Sequence, residues 1–108
     1  MCESIELLST TLWHLRDSAR LFELCLFSKA HFRDASAHQI ATGNFYSLIG
    51  SNDRAIDCFK MASATSNYSL CLEGHEWIGL GDLQRAENVF LQLSKRDGLN
   101  FNAWYFRL

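Results

Sequence analysis

The sequence predicts an all-α chain, a helical solenoid of antiparallel helix pairs, and three observations predict it. A short pattern occurs twice: Gly43, Tyr46, Ala55 and Phe59 recur, all at one constant interval, as Gly74, Trp77, Ala86 and Phe90. Apolar residues recur at helical spacing almost everywhere, and no strand-like alternation competes. Glycines stand at matched mid-helix positions, where each costs roughly 1 kcal/mol against alanine unless close packing recovers it. A single pair of helices cannot bury its own apolar face, so stacking of neighbours has to supply the core.

The elements follow in order. Helix one is predicted over Glu3–His14 and helix two over Asp17–Ala30, followed by a polar break with Arg33, Asp34 and Ser36. Helix three covers Ala37–Ile49 and stops at Gly50, which takes a left-handed conformation without strain. Ser51 or Asn52 caps helix four, Asp53–Ala64. Ser66 or Asn67 opens helix five, which ends near Leu80–Gly81. Asp82 caps helix six, Leu83–Arg96, and Asp97-Gly98 closes it. Asn102 begins a short seventh helix.

The string Gly-x-x-aromatic, then Ala-x-x-x-Phe, is the core of a tetratricopeptide repeat, a helix–turn–helix unit with a usual period of about 34 residues. Ser9 and Leu12 stand one such period before Gly43 and Tyr46, and Trp104 falls where a further repeat would place its opening tryptophan. The chain reads as one repeat domain, 1–108, with repeats over 2–35, 36–66 and 67–99 and the start of a further helix at 100–108. The first copy is the weakest, with Leu21 and Cys25 in place of Ala and Phe. The junction between the second and third repeats is shorter than the usual period allows. Ser9, Gly43 and Gly74 are expected where the two helices of a pair cross closely, with Ala55 and Ala86 facing that crossing. Tyr46, Trp77, Phe59 and Phe90 are expected to fill the space between pairs, and Trp104 to cover the last helix.

The formal net charge of −2 favours neither nucleic acid nor an anionic membrane, and no basic block is present to neutralise phosphates. The longest uncharged apolar run, Leu24–Phe27, falls far short of the roughly 20 residues that span a bilayer. Glu3 and Glu6 stand where a signal peptide needs positive charge. Cys2, Cys25, Cys58 and Cys71 lie far apart with no paired spacing, which reads as reduced, structural thiols of a nuclear or cytoplasmic protein.

Catalytic and metal patterns are weak. Cys71 and His75 share a helix face, but no second pair of ligands accompanies them, and structural zinc takes four. His75-Glu76 begins a zincin motif, but Gly79 stands where the second histidine must be. Phosphate-loop, dinucleotide and nucleophile-elbow patterns are missing. The chain reads as a non-enzyme with no cofactor and no metal.

In this repeat class the first helix of each pair lines the concave surface. Counting from the small residue, the inward row is Glu6, Thr10 and Trp13, then Ile40, Asn44 and Ser47, then Tyr68, Cys71, His75 and Ile78, with Tyr105 continuing it. Hydroxyl, amide and imidazole groups beside apolar patches suit an extended peptide end. Glu6 or a neighbouring acid would pair with an arginine. A chaperone-tail clamp needs basic residues where Ile40, Asn100 and Phe106 stand. Helix two is apolar nearly all round from Leu21 to Phe27, and Trp104, Tyr105, Phe106 and Leu108 make a similar surface at the other end. Repeat arrays carry polar capping helices, so self-association is expected.

Four strings carry a closer resemblance. Ser9-Thr10-Thr11-Leu12-Trp13-His14-Leu15 resembles a signature of the cell-division-cycle protein twenty-seven family, a subunit of the anaphase-promoting complex. Gly43-Asn44-Phe45-Tyr46-Ser47-Leu48, Gly74-His75-Glu76-Trp77 and Asn102-Ala103-Trp104-Tyr105 follow in the same order. The resemblance implies a non-catalytic scaffold within a ubiquitin ligase that controls the cell cycle. It also implies a groove that receives C-terminal Ile-Arg tails of activator proteins, and contacts with other subunits of the complex. The chain departs from the family in lacking N-terminal and later repeats, so it reads as a section of a longer array.

Overall fold

A computed structural model describes residues 2–31, 36–64 and 66–97. They form six helices: α1 (Cys2–His14), α2 (Ser18–His31), α3 (Ser36–Leu48), α4 (Asn52–Ala62), α5 (Asn67–Gly79) and α6 (Leu83–Asp97). There is no strand among the described residues, and the chain is an all-α, tetratricopeptide-type helical repeat. The predicted boundaries lie close to those observed; the end of α4 moves most, from Ala64 to Ala62. The expected seventh helix, with Trp104 and Tyr105, lies outside the described residues.

Successive helices pack as pairs, α1 on α2, α3 on α4 and α5 on α6. Helix α3 also touches both α1 and α5, while α2 leans on α3 and α4 on α5. The first helices of the pairs therefore form one face and the second helices the other.

The three turns inside the pairs are built alike. The amide of Asp17 donates to the Leu12 carbonyl, that of Ser51 to Tyr46 and that of Asp82 to Trp77; Arg16, Gly50 and Gly81 donate to Trp13, Ser47 and Ile78. These paired bonds are a Schellman closure, which needs a left-handed residue after the helix. Gly50 (φ 87°) and Gly81 (φ 80°) meet that need freely, whereas Arg16 meets it at φ 57°. A side chain in that conformation costs roughly 1–2 kcal/mol. Arg16→Gly is therefore expected to raise stability by about 0.5–1 kcal/mol after the added freedom of the unfolded glycine chain is subtracted. A thermal melt checks this, and an unchanged or lower Tm would contradict it.

Asp82 caps α6, its carboxylate accepting from the Arg85 amide at 3.1 Å, and Asp17 does the same for Arg20 at 3.1 Å. Ser66 caps α5 by accepting from the Ser69 amide. Ser51 holds the equivalent position before α4, but its hydroxyl makes no cap bond, which corrects the expected side-chain cap there. The short junction is absorbed by α4 itself, which has 11 residues against 14 in α2. The carbonyl of Ser63, just past its end, accepts from the Arg96 guanidinium at 2.5 Å.

Three apolar clusters run along the array. Ile5, Cys25, Ala37 and Ala41 form the first, and Ile40, Ala55, Phe59, Ala62 and Leu72 the second. The third holds Leu70, Cys71, Ala86, Val89, Phe90 and Leu93. A Cβ at Gly43 would stand 2.4 Å from the Phe59 ring, and one at Gly74 2.7 Å from the Phe90 ring. Each glycine thus makes room for the phenylalanine of its own pair. That corrects the placement of both rings purely between pairs: Phe90 packs within its pair, and Phe59 both fills its pair and meets Leu72 of the next. In the first pair a larger Ser9 accompanies a smaller Cys25, both buried, so the combined volume is kept.

Candidate functional site

Helices α1, α3 and α5 bring Thr10, Trp13, Asn44, His75 and Glu76 around a cavity of about 170 Å³, with Phe59 and Leu72 also lining it. The repeat explains the alignment. Thr10, Asn44 and His75 each directly follow the small residue of their own helix, Ser9, Gly43 and Gly74, so the three occupy one position in successive repeats.

Two chains of hydrogen bonds cross this face. The Asn44 amide donates to Ser9 Oγ at 2.9 Å and Thr10 Oγ1 at 3.2 Å, and Thr10 Oγ1 bonds Tyr68 Oη at 2.5 Å. Ser9 Oγ donates to the Glu6 carbonyl, so it can only accept from Asn44, which fixes the orientation of the amide. In the second chain the Trp13 indole N–H donates to Ser47 Oγ at 3.0 Å, and Ser47 Oγ donates to Glu76 Oε1. Each chain joins all three pairs.

Burial shapes the electrostatics. Desolvation holds the His75 imidazole below its ordinary pKa, which favours the neutral ring, and its edge faces Phe90 at 5.5 Å between centroids. Desolvation raises the Glu76 carboxyl while the Ser47 hydroxyl pulls it back down. Among the described residues Glu76 is the one acid that lines the cavity.

Of the row predicted from sequence, Thr10, Asn44, Ser47, Tyr68 and His75 are gathered here. Cys71 is fully buried among Leu70, Ala86 and Phe90 and offers no surface to a ligand, a correction to its place in the groove. Ile40 is equally buried. Glu6 is half-buried and close enough to Tyr68 to raise its pKa, but it does not line the cavity. Sequence reasoning missed Glu76. It holds the position that Phe45 holds in the preceding repeat, on the side facing that repeat, and its length carries the carboxylate across to Ser47. The signal was a charged residue at a position where the earlier copy is aromatic.

These features define a class: a tetratricopeptide-type array whose concave side holds a cavity with polar and acidic groups on an apolar floor. No protein-family model matches the chain. Curated relatives do. Over 109 residues it is 35% identical to a cell division cycle protein 27 homolog of Caenorhabditis elegans, which covers 95% of this chain and 14% of that protein. It is 30% identical to protein bimA of Emericella nidulans, over 95% of this chain and 13% of the relative. It is 26% identical to anaphase-promoting complex subunit 3 of Schizosaccharomyces pombe, over 95% of this chain and 16% of the relative. The chain is thus similar, over nearly all its length, to one segment of a cell-division-cycle-protein-27-type subunit, as the four strings imply. It spans about one seventh of the length of these curated relatives.

Proposed function

We propose that this chain is a non-catalytic scaffold and peptide-tail-binding repeat segment of the anaphase-promoting complex, working in the nucleus and cytoplasm. The observation that carries the reading is the concave cavity, formed by a segment similar to that complex's subunit 3. Its partners are other subunits and activator proteins with C-terminal Ile-Arg tails. No helix among the described residues is long and apolar enough to cross a membrane.

The apolar floor of Phe59 and Leu72 suits the isoleucine side chain. Glu76 suits the arginine, since a partly desolvated carboxylate pairs with a guanidinium through both oxygens. The Asn44 amide hydrogens are taken by Ser9 and Thr10, which leaves its oxygen as the group for a peptide N–H. Part of the family's array is present, so binding is weak.

Fluorescence anisotropy with a labelled peptide ending in Ile-Arg tests the reading. Asn44→Ala is expected to weaken binding by about 1–3 kcal/mol if a buried peptide group loses its partner. Glu76→Gln is expected to remove the preference for Ile-Arg over Ile-Ala. Equal binding by wild type and both variants, with helicity intact, would place the tail elsewhere.

A further inference from the structure

The opposite face carries a second groove, between α2 and α3, of about 240 Å³. Phe22, Leu26 and Lys29 line it from α2, and His38, Phe45 and Tyr46 from α3. These α3 residues lie on the side away from Asn44 and Ser47, so the groove is separate from the concave cavity.

The chain contains its own control for this groove. One repeat further on, the equivalent space between α4 and α5 is lined by Lys60, Glu73, Trp77 and Arg85. Lys60 stands at the repeat position that Leu26 holds in the first copy, and Glu73 at the one that Thr42 holds in the second. That copy is closed by its own polar contacts. The Trp77 indole donates to Glu73 at 3.2 Å, and Lys60 and Arg85 lie over the Trp77 ring at 5.8 and 4.9 Å. In the first copy Phe22 is 48% exposed and Leu26 53%, whereas Ile56, the equivalent of Phe22, is 4% exposed. Stacking of the repeats therefore does not require an open apolar groove here.

Charge says what it takes. Lys29 lines the end nearest His38, and Arg54 lies 5.7 Å over the Tyr46 ring at the other end. Neither cation makes an ion pair among the described residues, and no acid lines the groove. We infer that this groove docks a segment of a partner protein in which large apolar side chains are flanked by carboxylates. The apolar side chains fill the space between Phe22, Leu26 and Phe45, and the carboxylates meet Lys29 and Arg54.

The test uses the full 108-residue chain and short labelled peptides with a Leu-x-x-Phe centre, one flanked by glutamates and one by lysines. Anisotropy is expected to show the glutamate peptide binding at least about tenfold more tightly, with affinity falling as salt rises. Leu26→Lys installs the residue that the next repeat carries at a half-exposed position. It is expected to weaken that binding at least about tenfold while leaving helicity and Tm unchanged. Lys29→Glu with Arg54→Glu is expected to reverse the preference, and it serves as the test if Leu26→Lys fails to fold. Equal binding of the two peptides, no binding of either, or binding that ignores these substitutions would overturn the proposal. So would sedimentation showing that the chain self-associates through this face and that Leu26→Lys abolishes it without any peptide bound, since the occupant would then be a second copy.

Discussion

Gly43→Leu is expected to unfold the middle of the array. Even a single methyl group there would stand 2.4 Å from the Phe59 ring. The ring cannot retreat, because it is 1% exposed and enclosed with Ile40, Ala55, Ala62 and Leu72. Overpacking of this kind costs roughly 1–3 kcal/mol or more, and the remaining carbons of leucine push it to the upper end or beyond. Better helix propensity returns only about 1 kcal/mol. A net loss of about 2–3 kcal/mol corresponds to a fall in Tm of roughly 10–20 °C for a domain of this size. Gly74→Leu is expected to behave alike but more mildly, since its clearance from Phe90 is 2.7 Å. Thermal melting followed by circular dichroism measures both. A companion variant separates crowding from other causes: Gly43→Ala should be tolerated far better together with Phe59→Leu than alone. An unchanged Tm in Gly43→Leu would mean that the helix crossing is open.

Phe59→Ala is expected to cost about 3–5 kcal/mol, the range for deleting a buried aromatic ring. Its ring fills the crossing at Gly43, meets Leu72 of the following pair and forms part of the floor of the concave cavity. One truncation therefore weakens a pair, the junction to its neighbour and the candidate site together. Since small domains are stable by only about 5–15 kcal/mol, the variant is expected to melt broadly or to be partly unfolded at 25 °C. Urea denaturation gives the number. A loss below about 1 kcal/mol would show that neighbouring side chains collapse into the space.

Much of the fold was legible because a repeat prints its geometry in the spacing of its residues. The glycine, aromatic, alanine and phenylalanine pairs set the register, and the glycines and caps marked where helices stop. Further signals lay in the same sequence: Arg16, Gly50 and Gly81 hold the left-handed turn position of successive pairs, and Arg20, Arg54 and Arg85 a shared position on the second helices. The concave row was legible in part, since Thr10, Asn44 and His75 follow one another at repeat spacing. Periodicity gives the direction in which a side chain leaves its helix, and no more.

The sequence by itself thus determined the class of fold, the pairing of helices, the helix crossings at Gly43 and Gly74, and the resemblance to a cell-division-cycle-protein-27-type segment. Only the tertiary structure decided which side chains meet across pairs. It showed that Cys71 belongs to the core, that Glu76 reaches Ser47 from the neighbouring repeat, and that two equivalent grooves on the opposite face differ, one closed by Lys60, Glu73 and Trp77 and the other left apolar and open. The physical reason is the range of each signal. Helical register and turn chemistry are local and repeat with the chain, so spacing reveals them. Burial, hydrogen-bond partners and cavity shape depend on the length and rotamer of residues a whole repeat apart, and those are fixed only when the helices pack.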